Sequence, residues 1–471
     1  MSRRHGRPYD RQHIGTTRVT GDPNYRRVDS PVSTDPESAM ATKLRPPSRR
    51  TALAAFGLCL AITASATAAP VEPVRALAAK EQAPLLETLR DLVSIESGSG
   101  DREGLDKIAE VIAGRLKALG GAVEMIEPDP ADIYRMVDTP KEIGKMVRAR
   151  FTGAGARKIM LIAHMDTVYL RGTLAQQPFR IDGNRAYGLG IADDKHGVAL
   201  ILHTLAILRE MNFRDYGLIT VLINADEEVS SPGSRAMLTR LGGEHDVVFS
   251  CEGSRVESDE LSLTTAGIGA VVLNVKGRAS HAGAAPERGR NALYELAHQI
   301  LQTRDLSDPE IGLKMNWTIA NAGTVRNAIP ANASAAADVR VLRVADYDGI
   351  EQKVRERIKN QLIPDTTVEM TFERRRPPLE ATPASRALAR HAQDIYAEIG
   401  NKLIVEAVAE GGGTDAAFAA LRTKAPVIER FGLRGFGAHS NDAEYIDIGS
   451  IEPRLYLLTR MIMDVAQGKA N

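Results

Sequence analysis

Residues 158–164 read "KIMLIAH", a short apolar run that ends on a histidine. Two similar runs follow, "LITVLINA" at 218–225 and "DVVFSCE" at 246–252, and both lead into acidic residues. Between the first two lies "KHGVALILHTLAILREM" (195–211), which has the length and spacing of a helix. Strand, helix and strand in alternation predict an α/β fold, a mainly parallel sheet with helices on both faces.

The chain outside this region divides into recognisable parts. Apolar residues from Leu85 to Leu119 recur at helical spacing and predict two helices separated by a turn at 98–101. After about residue 262 the pattern becomes β-branched and alternating, which predicts an α+β insertion. Its predicted strands are 270–277, 316–323 and 333–343, and its predicted helices are 291–303 and 347–360. The proline-rich stretch near 375 marks the point where the chain leaves the insertion and returns to the first domain. A helix is predicted after it at 384–398. The predicted domains are 69–263, 264–374 and 375–471.

The first 68 residues have the pattern of a leader. Arg49 and Arg50 precede an apolar run from residue 52 to 62, and small residues follow up to Ala68. This order is typical of a secretory signal peptide cleaved after Ala68, and the run is too short for a membrane span. Export to the periplasm or the medium is therefore expected, by the general secretory or the twin-arginine route. The natural start is Met1 or Met40.

Charge and cysteine content narrow the function further. Residues 69–471 carry 49 basic and 55 acidic side chains, and this net negative charge is not complementary to a nucleic acid. Of the two cysteines, Cys59 lies in the leader and only Cys251 remains after cleavage, which excludes an intrachain disulfide. At 471 residues the chain is long enough for two or three domains.

Acidic and histidine side chains follow the ends of the predicted strands. His164 closes the first strand, Glu227 and Glu228 follow the second, and Glu252 closes the third. Asp193 lies in the glycine turn "GLGIADDKHG" (188–197). Strand ends of an open α/β sheet meet at one crevice, and so many carboxylates together need a cation. Nitrogen and oxygen ligands suit zinc, with manganese or cobalt as substitutes.

The number of ligands predicts two metal ions rather than one. A single catalytic zinc takes three protein ligands, whereas five candidates are present: His164, Asp193, Glu228, Glu252 and His439. Five ligands fit two ions about 3.5–4 Å apart with one bridging carboxylate. Because chain neighbours cannot easily both point at the metals, one of the two adjacent glutamates is free to act as the base.

Other histidines have a simpler interpretation. A lone histidine at a strand end, or an acidic run such as "DEE", is more typical of a packed or solvated position than of a metal site. The joint arrangement of the five candidates favours the metal. His203 and His298 do not belong to this arrangement and are predicted to be packing or surface residues.

Seven motifs in order carry a resemblance that covers about residues 80–468. They are "HMDTV", "YGLGIADDKHG", "ADEEVSSPGS", "SCEGS", "GRASHAGAAPERGRNAL", "NAGTVRNAIP" and "GFGAHSNDAEY". The chain resembles the M20 family of di-zinc metallopeptidases and, within it, the glutamate carboxypeptidase (carboxypeptidase G) group. The resemblance implies a zinc-exopeptidase catalytic domain with a mixed, mainly parallel sheet and an inserted dimerisation or lid domain at 264–374.

The resemblance also implies a role for each metal-site residue. Asp193 would bridge the two zinc ions, followed by a cis peptide bond. Of the other ligands, His164 and Glu252 would hold one zinc ion, and Glu228 and His439 the other. Glu227 would be the general base, and Asp166 would orient His164.

The same resemblance implies the substrate contacts. His281 would reach the active site of the partner subunit in a homodimer and stabilise the oxyanion. Asn327 and Arg340 would hold the free α-carboxylate of the substrate, with Arg340 suited to a bidentate grip. Gly412, Gly413 and Thr414 would line the pocket, and Arg376 is a further candidate contact.

The implied activity is hydrolysis of the amide before a C-terminal amino acid, with glutamate, as in folate-like substrates, the leading leaving group. One residue departs from the pattern: Glu260 stands where a lysine is expected before "LSL". Arg255 or Arg326 would have to compensate for that lysine. The alternatives are an aminoacylase or a di- or tripeptidase with a neutral leaving group, and an inactive binding module on the peptidase scaffold.

Overall fold

The computed structural model describes residues 69–409, 411–440 and 443–470. The predicted leader, residues 1–68, lies outside the described residues. Within those residues, no helix has both the length and the apolar composition that crossing a bilayer requires.

The described residues form nine α-helices and seventeen strands. The helices are α1 (Glu72–Val93), α2 (Arg102–Ala118), α3 (His196–Glu210), α4 (Arg235–Glu244), α5 (Ala292–Thr303), α6 (Asp346–Arg357), α7 (Pro383–Glu398), α8 (Ala416–Ala420) and α9 (Ile451–Ala466). The strands are β1 (Ala122–Ile126), β2 (Met146–Thr152), β3 (Lys158–His164), β4 (Arg180–Asp182), β5 (Arg185–Tyr187), β6 (Leu218–Asn224), β7 (Val247–Ser250), β8 (Ser254–Arg255), β9 (Glu260–Ser262), β10 (Gly267–Lys276), β11 (Lys314–Ala322), β12 (Asn332–Val341), β13 (Thr367–Arg376), β14 (Ile404–Glu406), β15 (Val427–Ile428), β16 (Arg434–Phe436) and β17 (Tyr445–Asp447).

The main sheet has the order β1-β2-β6-β3-β7-β15. The four strands β6, β3, β7 and β15 are parallel, and β2 and β1 are added antiparallel at one edge. Successive residues of β3 enter two different cores. Ile159 and Leu161 pack with α1, α2, α3, α7 and α9, whereas Met160 and Ile162 pack with α4 and α8. Burial on both faces explains why this strand is apolar without alternation, and the predicted α/β class with a mixed, mainly parallel sheet is confirmed.

Residues 267–376 build a second, four-stranded antiparallel sheet in the order β11-β12-β10-β13. It has a core of its own. Val271, Leu273 and Val275 alternate with more exposed residues along β10 and pack under α5 and α6. Asn291 begins α5, because its side chain accepts the backbone N–H groups of Leu293 and Tyr294. These elements match the α+β insertion expected from the alternating pattern, and the domain limits 264–374 stay a prediction.

Two smaller sheets have no counterpart in the sequence-based prediction. A five-stranded sheet has the order β4-β5-β17-β16-β8, and β14 pairs with β9. Each of these strands has only two or three residues, too few to show an alternating pattern. The five-stranded sheet brings residues from three distant stretches of chain beside the glycine turn at 188–197.

Candidate active site

His164 and Asp166 lie at the carboxyl end of β3 and are both buried. His164 Nε2 is 2.9 Å from Asp193 Oδ1 and 3.5 Å from Glu252 Oε1. On the other side of the ring, Nδ1 is 3.3 Å from Asp166 Oδ1. The Asp166 carboxylate also accepts the backbone N–H groups of Glu227 and Glu228, each at 3.1 Å. Asp166 therefore holds both the imidazole and the turn with the adjacent glutamates.

Asp193 occupies the centre of the cluster. Its Oδ1 faces His164, and its Oδ2 is 3.3 Å from His439 Nε2. His439 Nε2 is also 3.1 Å from Glu228 Oε2. The Asp193–Asp194 peptide bond is cis, as the resemblance implies.

The ligand atoms fall into two groups that share Asp193. One consists of His164, Asp193 and Glu252, the other of Asp193, Glu228 and His439, and within each group the atoms lie within 4.8 Å of one another. This is the arrangement expected for two ions bridged by one carboxylate.

The electrostatics of the cluster favour added positive charge. Burial raises the pKa of Glu227 and Glu252 well above the usual value, and the Asp194 carboxylate raises that of Glu252 further. Burial also opposes ionisation of Asp193, but His164 and His439 outweigh it and lower the Asp193 pKa. Buried carboxyl groups of this kind either stay protonated or ionise beside a cation. The nitrogen and oxygen donors thus fit divalent metal ions such as zinc, manganese or cobalt.

Glu227 contacts an arginine from the second sheet. Arg376, at the end of β13, is buried, and its Nη1 is 2.7 Å from Glu227 Oε1 and 3.0 Å from Asp415 Oδ1. Its Nη2 donates to the backbone oxygen of Glu227 at 2.6 Å. Arg376 lines the cavity, as a substrate contact would, but its guanidinium is already bound to protein groups on both sides.

A cavity of about 350 Å³ opens onto the cluster. Arg340, Gly413 and Thr414 line it together with Asp193, Glu227, Glu228, Glu252 and His439. Arg340 forms a bidentate ion pair with Asp338, at 2.9 and 3.0 Å, and donates Nη1 to the Gly411 backbone oxygen at 2.8 Å. A Cβ at Gly413 would lie 2.8 Å from the Ala266 oxygen, so only glycine allows this close approach.

The pattern of Peptidase family M20/M25/M40 matches residues 160–464, which carry all of these side chains. The chain belongs to Peptidase family M20/M25/M40. Carboxypeptidase G2 from a Pseudomonas species is 44% identical over 427 residues, which cover 90% of this chain and 100% of that protein. The predicted family and the predicted enzyme class, a metallo-carboxypeptidase, are thereby confirmed.

More distant proteins share parts of the M20 chain or its fold. Acetylornithine deacetylase from Klebsiella pneumoniae is 31% identical over 245 residues, which cover 47% of this chain and 56% of that protein. An M20 metallo-carboxypeptidase from Sulfolobus solfataricus superposes with a TM-score of 0.64 at 15% identity, covering 81% of this chain and 99% of that one. An aminopeptidase from Bacillus cereus superposes with a TM-score of 0.64 at 21% identity, covering 82% of this chain and 99% of that one. These two structures share the M20 fold.

Two predicted residues of this M20 peptidase do not line the cavity. His281 and Asn327 are exposed and lie side by side, with the Ala282 N–H donating to the Asn327 backbone oxygen at 2.9 Å. The cavity of the same chain does not include either side chain.

Several buried residues near the M20 site were not predicted. Glu444 accepts backbone N–H groups from the glycine turn that carries Asp193, and Glu429 accepts the Thr414 hydroxyl at 2.7 Å. Glu429 directly follows β15, which has only two residues and gives no recognisable strand pattern, and Glu444 precedes the three-residue β17. Only the adjacency of Glu444 to the "HSND" segment of His439 could have pointed to it.

Glu260, the residue at the expected lysine position, is buried. It forms ion pairs with Arg430 and with Arg255, whose Nε is 3.4 Å from Glu260 Oε1. Arg255, considered as a replacement for the lysine, thus contacts the glutamate that stands in its place. Arg326, the other candidate, is exposed.

Proposed function

We propose that this M20 peptidase is a di-zinc exopeptidase that removes a C-terminal amino acid from N-acyl or peptidyl substrates, with glutamate the leading leaving group. The observation that carries the proposal is the pair of ligand groups sharing Asp193, with Glu227 and Arg340 on the same cavity. The 44% identity to a carboxypeptidase over that protein's full length supports it.

Two zinc ions in these groups would supply a water acidified toward neutrality as the nucleophile. The role of Glu227 is to take the proton of this water and to pass it to the departing nitrogen. Its contact with Arg376 holds the carboxylate in place through Oε1. Asp166 contacts both the His164 imidazole and the Glu227 backbone N–H, so it fixes the position of one relative to the other.

The substrate's free α-carboxylate would lie against Arg340, Gly413 and Thr414. We propose that His281 and Asn327 complete this site from the partner subunit of a homodimer. Their exposure, and their position outside the cavity of their own chain, support a contribution in trans.

A second cleft, of about 540 Å³, supports a bulky acyl group on the other side of the scissile bond. Residues 98–101 and 167–171 line it, and Glu228 lines both this cleft and the 350 Å³ cavity. A substrate with its carbonyl at the metals would therefore extend into both spaces. The volume lies within the range of drug-sized ligands and is far larger than an acetyl group needs.

The ion pairs of Glu260 favour the alternative of a neutral leaving amino acid. Glu260 is itself a carboxylate, and its ion pairs engage Arg430 and Arg255. This position therefore presents no cation to the side chain of a departing glutamate.

Hydrolysis of N-benzoyl-L-glutamate and N-benzoyl-L-leucine by the zinc-loaded enzyme tests both proposals. Glu227→Gln is expected to lower kcat by about 10²–10⁴-fold on either substrate while zinc content stays at two per chain, because only the base is lost. Undiminished turnover by this variant would remove Glu227 from its role. Cleavage of the leucine compound alone would replace the glutamate preference by the alternative, and turnover of neither compound by the wild type would favour the inactive module.

We also propose export after removal of residues 1–68. The support is the leader pattern alone. The mature N-terminus is expected at Ala69, and protein sequencing that finds the leader retained contradicts export by this route.

A further inference from the structure

The glycine turn at 188–197 directs its backbone N–H groups at a carboxylate of the protein itself. Glu444 is completely buried, and its Oε2 accepts the N–H of Gly190 at 2.9 Å while Oε1 accepts the N–H of Ala192 at 2.7 Å. The Tyr169 hydroxyl donates to the same carboxylate at 2.5 Å. Backbone N–H groups of a turn can form a concavity that binds a carboxyl group, and here the group that fills it is the side chain of Glu444.

The three donors come from segments that carry metal ligands. Ala192 directly precedes Asp193, and Tyr169 lies five residues beyond His164. Glu444 itself lies five residues beyond His439 and directly before β17, whose pairing with β5 places it beside the turn. One buried carboxylate therefore connects the segments of three of the five candidate ligands.

We propose that Glu444 is a positioning residue that fixes the turn presenting Asp193 to both metal positions. The proposal rests on the di-zinc function proposed above. Gly190 has a φ of +68°, and Asp193 and Asp194 leave the helical backbone conformation, so the Glu444 carboxylate holds two N–H groups of a turn with irregular backbone geometry.

A matched residue allows the positioning role to be separated from a merely structural one. Glu295, on α5, is also completely buried and accepts two backbone N–H groups, from Leu362 at 2.9 Å and Ile363 at 2.6 Å. It further accepts the Gln299 side chain at 2.6 Å. Glu295 thus makes the same number and kinds of bonds as Glu444, but inside the second sheet's layer and away from the metal ligands.

The test measures zinc affinity of the full mature chain by competition with a chelator, which does not depend on activity. Glu444→Gln keeps the shape but presents an NH₂ group to a backbone N–H, and is expected to weaken zinc binding about 10–100-fold, as loss of residues supporting metal ligands does. Glu295→Gln is expected to lower Tm without changing zinc affinity. Tyr169→Phe, which removes one hydroxyl only, is expected to shift zinc affinity in the same direction by a smaller factor.

Unchanged zinc affinity in both Glu444→Gln and Tyr169→Phe would overturn the positioning role and leave the proposed function standing. Because the Tyr169 hydroxyl is also 2.9 Å from the Ser440 backbone oxygen, Tyr169→Phe does not decide alone. If Glu444→Gln does not fold, Glu444→Asp, which keeps the carboxylate but shortens the side chain by one methylene, takes its place with the same expected direction. A wild-type protein that binds no zinc and hydrolyses neither benzoyl substrate would overturn the proposed function, and the positioning role with it.

Discussion

Among single residues, Glu429 makes a pH dependence of stability measurable at a carboxyl group that is not itself a candidate metal ligand. It is completely buried, and burial raises its pKa to about 7, despite hydrogen bonds from Thr414 and Ser250 and the nearby Arg430. A carboxyl with a raised pKa in the folded state binds its proton more tightly there than when unfolded. The contribution of Glu429 to the free energy of unfolding therefore falls as pH rises from about 4.5 to 7 and does not change further above that.

Glu429→Gln removes this contribution, because the amide does not ionise. In a chelating buffer, the free energy of unfolding is measured with urea between about pH 4.5 and 8. Over this range it is expected to fall by up to about 3 kcal/mol more for the wild type than for the variant. The difference between the two proteins is the readout, since all other carboxyls titrate in both. Parallel pH profiles of the two proteins would show that Glu429 ionises in the fold as easily as in the unfolded chain.

Three of the five predicted ligands share one feature that the sequence shows, their position at a strand end. His164, Glu228 and Glu252 follow buried strands, and such positions converge in an open α/β sheet. Glu444 and Glu429 follow no long strand, and their partners are backbone N–H groups or hydroxyls from distant segments. Nothing local in the sequence records such a pairing, so only the assembled structure shows it.

Among the elements, the two loops at 98–101 and 167–171 carry a prediction about acyl size. Their cleft exposes apolar surface, with Leu170 81% exposed, and a Cβ built at Gly100 meets nothing within 4 Å. Gly100→Leu is therefore expected to fold normally and to fill part of the cleft. It should lower kcat/KM for N-benzoyl-L-glutamate about tenfold and leave N-acetyl-L-glutamate unaffected, since a clash of this size costs about 1–3 kcal/mol.

Gly114→Leu is the matched control, because Gly114 also has open space around it but lies on the exposed face of α2. It is expected to leave both substrates unchanged. An equal loss of both substrates in Gly100→Leu would mean that the loop, rather than the acyl group, responds to the change. No loss on either would place the acyl group elsewhere.

Element length decides how well the sequence predicted the fold. The runs of β3 and β6 and the periodic helix α3 each extend over seven residues or more, and the structure places them within about one residue of the expected bounds. The five-stranded sheet was missed because its strands are short and because two of its pairings join distant stretches of chain, β5 with β17 and β8 with β16. Such strands exist only through long-range pairing, which single-sequence periodicity does not contain.

At the scale of the whole molecule, β11 is an exposed edge of the four-stranded sheet. Ile319 on β11 is 58% exposed, and on α5 Tyr294 and Leu301 are 61% and 58% exposed. An unpaired edge beside an apolar helix face is a ready template for pairing with another copy, unless it is blocked. We expect this surface to form the homodimer contact, and Ile319→Lys to convert the dimer to a monomer in analytical ultracentrifugation. Leu362→Lys, 54% exposed but outside β11 and α5, should stay dimeric.

Dimer formation gives the catalytic proposal its sharpest test, because His281 and Glu227 would act on the same substrate from different chains. Separately, Glu227→Gln and His281→Ala dimers are each expected to be nearly inactive. Mixed and allowed to exchange subunits, half of the dimers would carry one of each chain, and in each of these one site has both residues intact. Activity should therefore recover to about a quarter of wild type, the fraction that a symmetric two-fold dimer with random exchange gives. If His281 served its own chain, no site would be complete and mixing would restore nothing, and Ile319→Lys chains would remain active as monomers.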